Sequence, residues 1–229
     1  MKSLATGNSP FTTFFQVVTR LPTVMRQMRP TWHVPSLGVV SPAFVAAHGI
    51  KGMIWDVDGT LTGDRQPRLV PEAEPAFRVL VAAPGLRHVV LSNAGEERFS
   101  QLGTMFPMMP ILRAYTLGEQ VLYRRLQGSA DSWTREELER QLAAVAAVIR
   151  KPNAVLVEYA ARELGLAKAD IVMIGDQYLT DVAGANLGDV RSIKLPTLAP
   201  ESFRASVKLS QRFELVLYGL FYGRAQMTT

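Results

Sequence analysis

A chain of 229 residues, 48% of them hydrophobic, is long enough for one well-buried domain with a small appendage. It has no cysteine, which excludes disulfide staples, thiolate zinc sites and a cysteine nucleophile. The net charge of +5 is concentrated at the ends: Lys2, Arg20, Arg26, Arg29 and Lys51 are the only charged residues among the first 55, residues 202–229 are net basic, and the centre is net acidic.

Residues 1–46 read as a basic amphipathic N-terminal segment. Phe11, Phe14, Phe15, Val18, Leu21, Met25 and Met28 recur at near-helical spacing beside Arg20, Arg26 and Arg29, and Pro22 is expected to kink the helix. Such a stretch suits the interface of an anionic bilayer; the alternative is packing on the core or in a dimer. No uninterrupted apolar run approaches the roughly eighteen residues of a membrane span. Gly7 and Pro10 in a polar stretch argue against a signal peptide, while the acid-free start leaves an organelle transit peptide open.

Residues 47–200 alternate short apolar runs with helical patterns, the signature of a doubly wound, Rossmann-like parallel sheet of the α/β class. Strands are predicted at 51–57, 88–92, 112–116, 171–175 and 190–195, with helices at 71–82, 95–104, 153–165 and 178–187. The stretch 117–150 exceeds a simple crossover. It reads as a small helical insertion, one helix at 118–127 and a second from Ser132 through Ile149, turning at Gly128-Ser129, with no large cap domain. Structural packing is its plainer role and a lid over the site the alternative. Residues 201–229 form a basic, aromatic C-terminal segment, with Phe213, Leu215, Val216, Leu217, Tyr218, Leu220, Phe221 and Tyr222 between Arg212 and Arg224.

The chemistry lies where the predicted strands end. In a doubly wound sheet, ligands bind outside the carboxyl ends of the strands. The first strand runs into Asp56-Val57-Asp58-Gly59-Thr60, two acids two residues apart. The second ends in Ser92-Asn93-Ala94-Gly95, a hydroxyl, an amide and main-chain NH groups suited to phosphate oxygens. Lys151 stands before Pro152 at a helix opening, where an ammonium can neutralise a phosphoryl group. The fourth ends in Gly175-Asp176, with Asp181 five residues on. Asp176, Asp181 and the first loop offer hard oxygen ligands suited to Mg²⁺. Thr60, Lys151 and Asp181 each have a plainer reading as turn cap, surface lysine and helix-start acid. His33, His48 and His88 read as structural.

Taken in order, these four motifs resemble those of the haloacid dehalogenase superfamily over roughly residues 47–195, and Asp58 resembles its phosphatase branch. The resemblance implies Asp56 as nucleophile and Asp58 as proton donor and acceptor. It implies phosphate contacts from Thr60, Ser92, Asn93 and Lys151, and Mg²⁺ held by Asp56, the Asp58 main-chain carbonyl and Asp176. Asp181 would be an outer ligand or would orient Lys151. The flanks His48-Gly49-Ile50-Lys51-Gly52, Thr60-Leu61-Thr62, Gly175 to Asn186 and Arg29 to Pro35 are similar to the phosphatidylglycerophosphate phosphatase branch. That branch usually carries Asn at the position of Gly59 and has a shorter segment before its lysine.

The resemblance implies a phospholipid phosphate ester as substrate, with an anionic membrane surface as partner and a peripheral location on its cytoplasmic face, or in an organelle matrix if the start is a transit peptide. Soluble phosphate esters are the alternative substrates, and a non-catalytic binding protein the alternative class. A nucleic-acid partner is not expected, because the basic residues flank apolar clusters instead of forming one stripe.

Overall fold

The structure is a computed structural model that describes residues 21–144, 146–223 and 227. Phe11, Phe14, Phe15, Val18, Arg20 and Arg224 therefore lie outside the described residues, as does the proposed transit peptide.

Nine strands build one sheet among these residues: β1 (Trp32–His33), β2 (Gly52–Trp55), β3 (Arg87–Leu91), β4 (Ile111–Leu117), β5 (Gln120–Gln127), β6 (Ala130–Asp131), β7 (Ala147–Ile149), β8 (Ile171–Gly175) and β9 (Arg191–Lys194). Their order is β1-β9-β8-β2-β3-β4-β5-β6, with β7 pairing β4 off this path. The run from β1 to β4 is parallel, and β2 lies at its centre with Ile54 opposite both Val89 and Met173. Being buried on both faces, β2 and β8 read as continuous apolar runs with no polar alternation. Their register brings the carboxyl ends of β2, β3 and β8 side by side.

Helices cover both faces. On one, α3 (Glu74–Val81) and α4 (Glu96–Met105) set Phe77, Leu80, Phe99 and Leu102 against Met53, Trp55, Val90 and Ile174. On the other, α6 (Ala154–Leu164) sets Leu156, Val157, Ala160 and Leu164 against Ile54, Val89, Leu91 and Met173. Asn153 caps α6 by accepting from Val155 N at 3.0 Å, and Gly165, at φ +63°, ends it. A short α2 (Pro42–Ala47), N-capped by Ser41, precedes β2. A third apolar cluster joins the chain's distant segments: Val24, Met25 and Met28 in and after α1 (Leu21–Met25) pack with Tyr178, Leu179 and Val182, and with Leu217 and Tyr218 of α8 (Ala205–Tyr222).

The sequence expectation fails in the insertion. Residues 118–127, expected as a helix, form β5, joined to β4 by a two-residue turn that Gly118 enters at φ +59°. Gly128-Ser129 is indeed a turn, but between β5 and β6. The second helix stops short as α5 (Arg135–Ala143), and 147–149 turn back as β7 along the part of β4 that β3 leaves unpaired. Buried Arg124 explains the misreading. It breaks the apolar alternation of β5, yet it is satisfied by Glu96, Asp131 and Tyr115 from other elements. Trp133 stacks on Tyr115 and donates to Tyr123 O, fastening the insertion to the sheet.

Candidate active site

Asp56 follows β2 directly, its main-chain NH bonded to Ile174 O of β8 at 2.9 Å. The chain then closes a tight loop in which the NH groups of Thr60, Leu61 and Thr62 all point to Val57 O. Gly59 makes that loop possible. Its φ is +95°, and a Cβ there would lie 2.7 Å from Asp176 Oδ2. Any side chain at this position would require the Asp176 carboxyl to shift.

Lys151 follows β7, and a cis Lys151–Pro152 bond leads from it towards α6. Its Nζ donates to Asp56 Oδ1 at 2.5 Å and to Asp181 Oδ1 at 2.7 Å, and all three residues are buried. Asn93 holds the lysine's main chain from both sides: its Oδ1 accepts from Lys151 N at 2.7 Å and its Nδ2 donates to Lys151 O at 3.1 Å. Both polar atoms of that amide are thus engaged in placing Lys151. The Ser92 hydroxyl accepts from Ala94 N at 3.2 Å. The loop's carbonyls are held from outside, Ala94 and Gly95 by Arg113 and Asn93 by Arg150.

Asp176 ends β8. Its Oδ2 accepts from Thr197 Oγ1 at 2.7 Å, and the Thr60 hydroxyl lies 3.0 Å from Asp56 Oδ2 and 3.4 Å from Asp176 Oδ1. Asp181 sits in the wide turn Tyr178–Val182, where its Oδ2 accepts from Gln177 N at 3.0 Å. Carboxylate oxygens of Asp56, Asp176 and Asp181 lie within 4.8 Å of one another. The Asp58 carboxylate stands outside this group, paired with Arg98 at 2.7 Å.

Burial pushes Asp56 up to about 8; Lys151 opposes the rise, and Asp181 and Asp176 add to it. Burial, then Asp181, likewise pushes Asp176 up to about 6 against Thr197, Lys194 and Lys151. Burial alone would lower Lys151, but Asp181 and Asp56 outweigh it and hold the ammonium above its ordinary value. Lys151 and Lys194 together do not neutralise three clustered carboxylates. A hard cation taking only oxygen ligands is what this donor set fits.

Sequence reasoning missed Arg98, Thr197 and Gln211. Arg98 carried a signal, because it lies one residue before Phe99 and four before Leu102 on the buried face of α4. Thr197 and Gln211 had none, since only the fold brings them to Asp176, Gln211 Nε2 at 3.4 Å.

A family model for HAD-hydrolase-like proteins matches residues 148–197, the stretch from β7 through β9 that carries Lys151, Asp176 and Asp181. A probable phosphatase of Bacillus subtilis, YqeG, is 25% identical over 170 residues, covering 74% of this chain and 78% of that one. These matches support a haloacid dehalogenase-like phosphatase, a hydrolase of phosphoric monoesters, and the fold is Rossmann-like. Phosphatidylglycerophosphate phosphatase 1, chloroplastic, of Chlamydomonas reinhardtii is 25% identical over 186 residues; these cover 81% of this chain but only 59% of the algal protein's length. An uncharacterized protein from Listeria monocytogenes serotype 4b aligns in structure with a TM-score of 0.42 at 19% identity, covering 68% of this chain and 83% of that one.

Proposed function

We propose that the protein hydrolyses a phosphate monoester through an aspartyl-phosphate on Asp56, and that the ester is phosphatidylglycerophosphate. The observation that carries the reaction is the buried Asp56 carboxylate held by Lys151 at a strand end, 2.5 Å away, beside Asp176 and Asp181. An Asp56 oxygen forms a bond to phosphorus as the bond from phosphorus to the alcohol oxygen breaks, and Asp58 gives that oxygen its proton. A water oxygen then attacks the same phosphorus. Asp58 takes the water proton, phosphate leaves, and the Asp56 carboxylate is restored. Lys151 and Thr60 stabilise the phosphoryl oxygens throughout. Mg²⁺ would be held by Asp56, Asp176 and the Asp58 carbonyl, and would supply charge neutralisation between carboxylate and phosphate. Asp181 bonds Lys151 directly, which favours orientation of the lysine as its role.

The algal relative's name supports the lipid substrate. So does α8. Leu209, Phe213, Val216 and Leu220 recur three or four residues apart on the side opposite buried Glu214 and Tyr218, and Leu209 is 69% and Leu220 75% exposed. The charges on this helix away from its buried face, half-buried Lys208 and exposed Arg212, are basic, which suits an anionic lipid surface. No helix among the described residues is long and apolar enough to cross a membrane, so the proposed location is peripheral. The deciding experiment is a phosphate-release panel that sets phosphatidylglycerophosphate in vesicles against soluble phosphate esters. A clear preference for the lipid is expected; equal or faster hydrolysis of a soluble ester would overturn the lipid substrate.

A further inference from the structure

Asp58 is held in an asymmetric way. Its Oδ1 accepts three hydrogen bonds, from Arg98 Nη2 at 2.7 Å, Thr62 Oγ1 at 3.1 Å and the Arg65 main-chain NH at 3.1 Å. Its Oδ2 has only the long contact to Arg98 Nε at 3.5 Å. The guanidinium is itself fixed: it is 5% exposed, with Nη1 on Gln101 Oε1 at 2.5 Å and Nη2 also on Thr62 Oγ1 at 3.1 Å. Two neighbouring acids thus answer to two different cations, Asp56 to Lys151 and Asp58 to Arg98.

We infer that Arg98 is a positioning residue for the proton-transfer step: it anchors Asp58 through Oδ1 and leaves Oδ2 as the oxygen that gives and takes the proton. The inference rests on the reading of Asp58 as acid and base. A carboxylate free to rotate would present either oxygen and lose the alignment that makes general catalysis efficient. A guanidinium suits the task because its planar fork fixes orientation and it does not give up its own proton. A lysine would supply charge without the fork. Arg98 also lies in the first turn of α4, three residues beyond the loop Ser92 to Gly95, so the acid and the loop that holds Lys151 are referred to one rigid helix.

The test uses 4-nitrophenyl phosphate with Mg²⁺, whose leaving group departs without a proton, so Asp58 is needed only to hydrolyse the aspartyl-phosphate. Asp56→Asn is first expected to abolish turnover, as the covalent reading requires; turnover that survives Asp56→Asn would overturn that reading and this inference with it. Arg98→Gln is then expected to keep a rapid burst of about one nitrophenol per site while steady turnover falls by about tenfold or more, within the scale of general acid–base catalysis. Arg98→Lys should fall between Arg98→Gln and wild type. In the Asp58→Asn background, Arg98→Gln should cost less than about twofold, because the group it positions is already gone. With the Asp56 dependence intact, burst and steady turnover lost together in folded Arg98→Gln and Arg98→Lys proteins would overturn the inference alone, as would a full additional loss in the double variant.

Discussion

Gly175 and Asp181 share one space: a Cβ built on Gly175 would overlap the Cβ, Cγ and Oδ2 of Asp181. The missing side chain lets the acid fold back against the strand end and reach Lys151. Gly175→Ala should therefore displace Asp181 and loosen the lysine, lowering turnover by about a hundredfold, the scale of a misplacement near 1 Å. Kinetics with a circular-dichroism melt would check it, and a folded variant within threefold of wild type would count against the packing argument.

Lys151 is buried between two carboxylates, so its removal leaves charge without compensation. Lys151→Ala should lower turnover by about a hundredfold to a thousandfold, the scale for one preorganised charge-stabilising group. It should also destabilise the metal-free protein by about 3 kcal/mol or more, since breaking a buried pair strands its partner. Urea denaturation in EDTA measures the second effect.

The raised acid values give a signed pH dependence. Between the ordinary value of 3.8 and about 8, folded Asp56 keeps a proton that the unfolded chain has lost. The folded state then binds more protons, so this contribution to stability falls as pH rises through that window. In EDTA, Asp56→Asn should be more stabilising near pH 9 than near pH 5. Thermal melts at the two pH values check the sign, and a benefit larger at the acidic end would contradict it.

Divalent metal should reverse the same balance. Mg²⁺ is expected to raise the melting temperature of wild type more at pH 8 than at pH 5.5, because more carboxylate is then ionised. Asp176→Asn should remove most of the shift. Melting curves with Mg²⁺ against EDTA read this without any activity assay.

The outward stripe of α8 contains none of the site residues, so charge placed there should act on attachment alone. Leu209→Glu with Val216→Glu should abolish flotation with anionic vesicles and slow hydrolysis of the lipid ester, leaving 4-nitrophenyl phosphate turnover within about twofold. Equal loss on both substrates would assign the stripe to packing.

Strands and carboxylates were legible together in the sequence because buried parallel strands announce themselves as apolar runs, and the runs of β2, β3 and β8 each lead into a polar residue. Asp56, Ser92 and Asp176 could thus be set at neighbouring strand ends, and β8 falls where its pattern puts it. Lys151 was found by its place between motifs, but the strand that delivers it was read as helix. The reason is local: Val148 and Ile149 extend the spacing of α5, and only pairing with β4 makes them a strand. Asn93 was expected to face phosphate, while the fold turns its amide onto the Lys151 main chain. Arg98 could be suspected from its helix face, but its partner could not.

The separation of the site along the chain bears on how the protein is made. Asp56 and Lys151 are 95 residues apart, and Leu179, beside Asp181, waits for Glu214 of α8 35 residues further on. A ribosome that has released the chain only through the turn Tyr178–Val182 has exposed three acids and the lysine that holds two of them, without the helix that braces their turn. The chain up to that point is a set of clustered negative charges in search of a cation. Phosphatase activity should therefore emerge only once α8 has left the exit tunnel and docked.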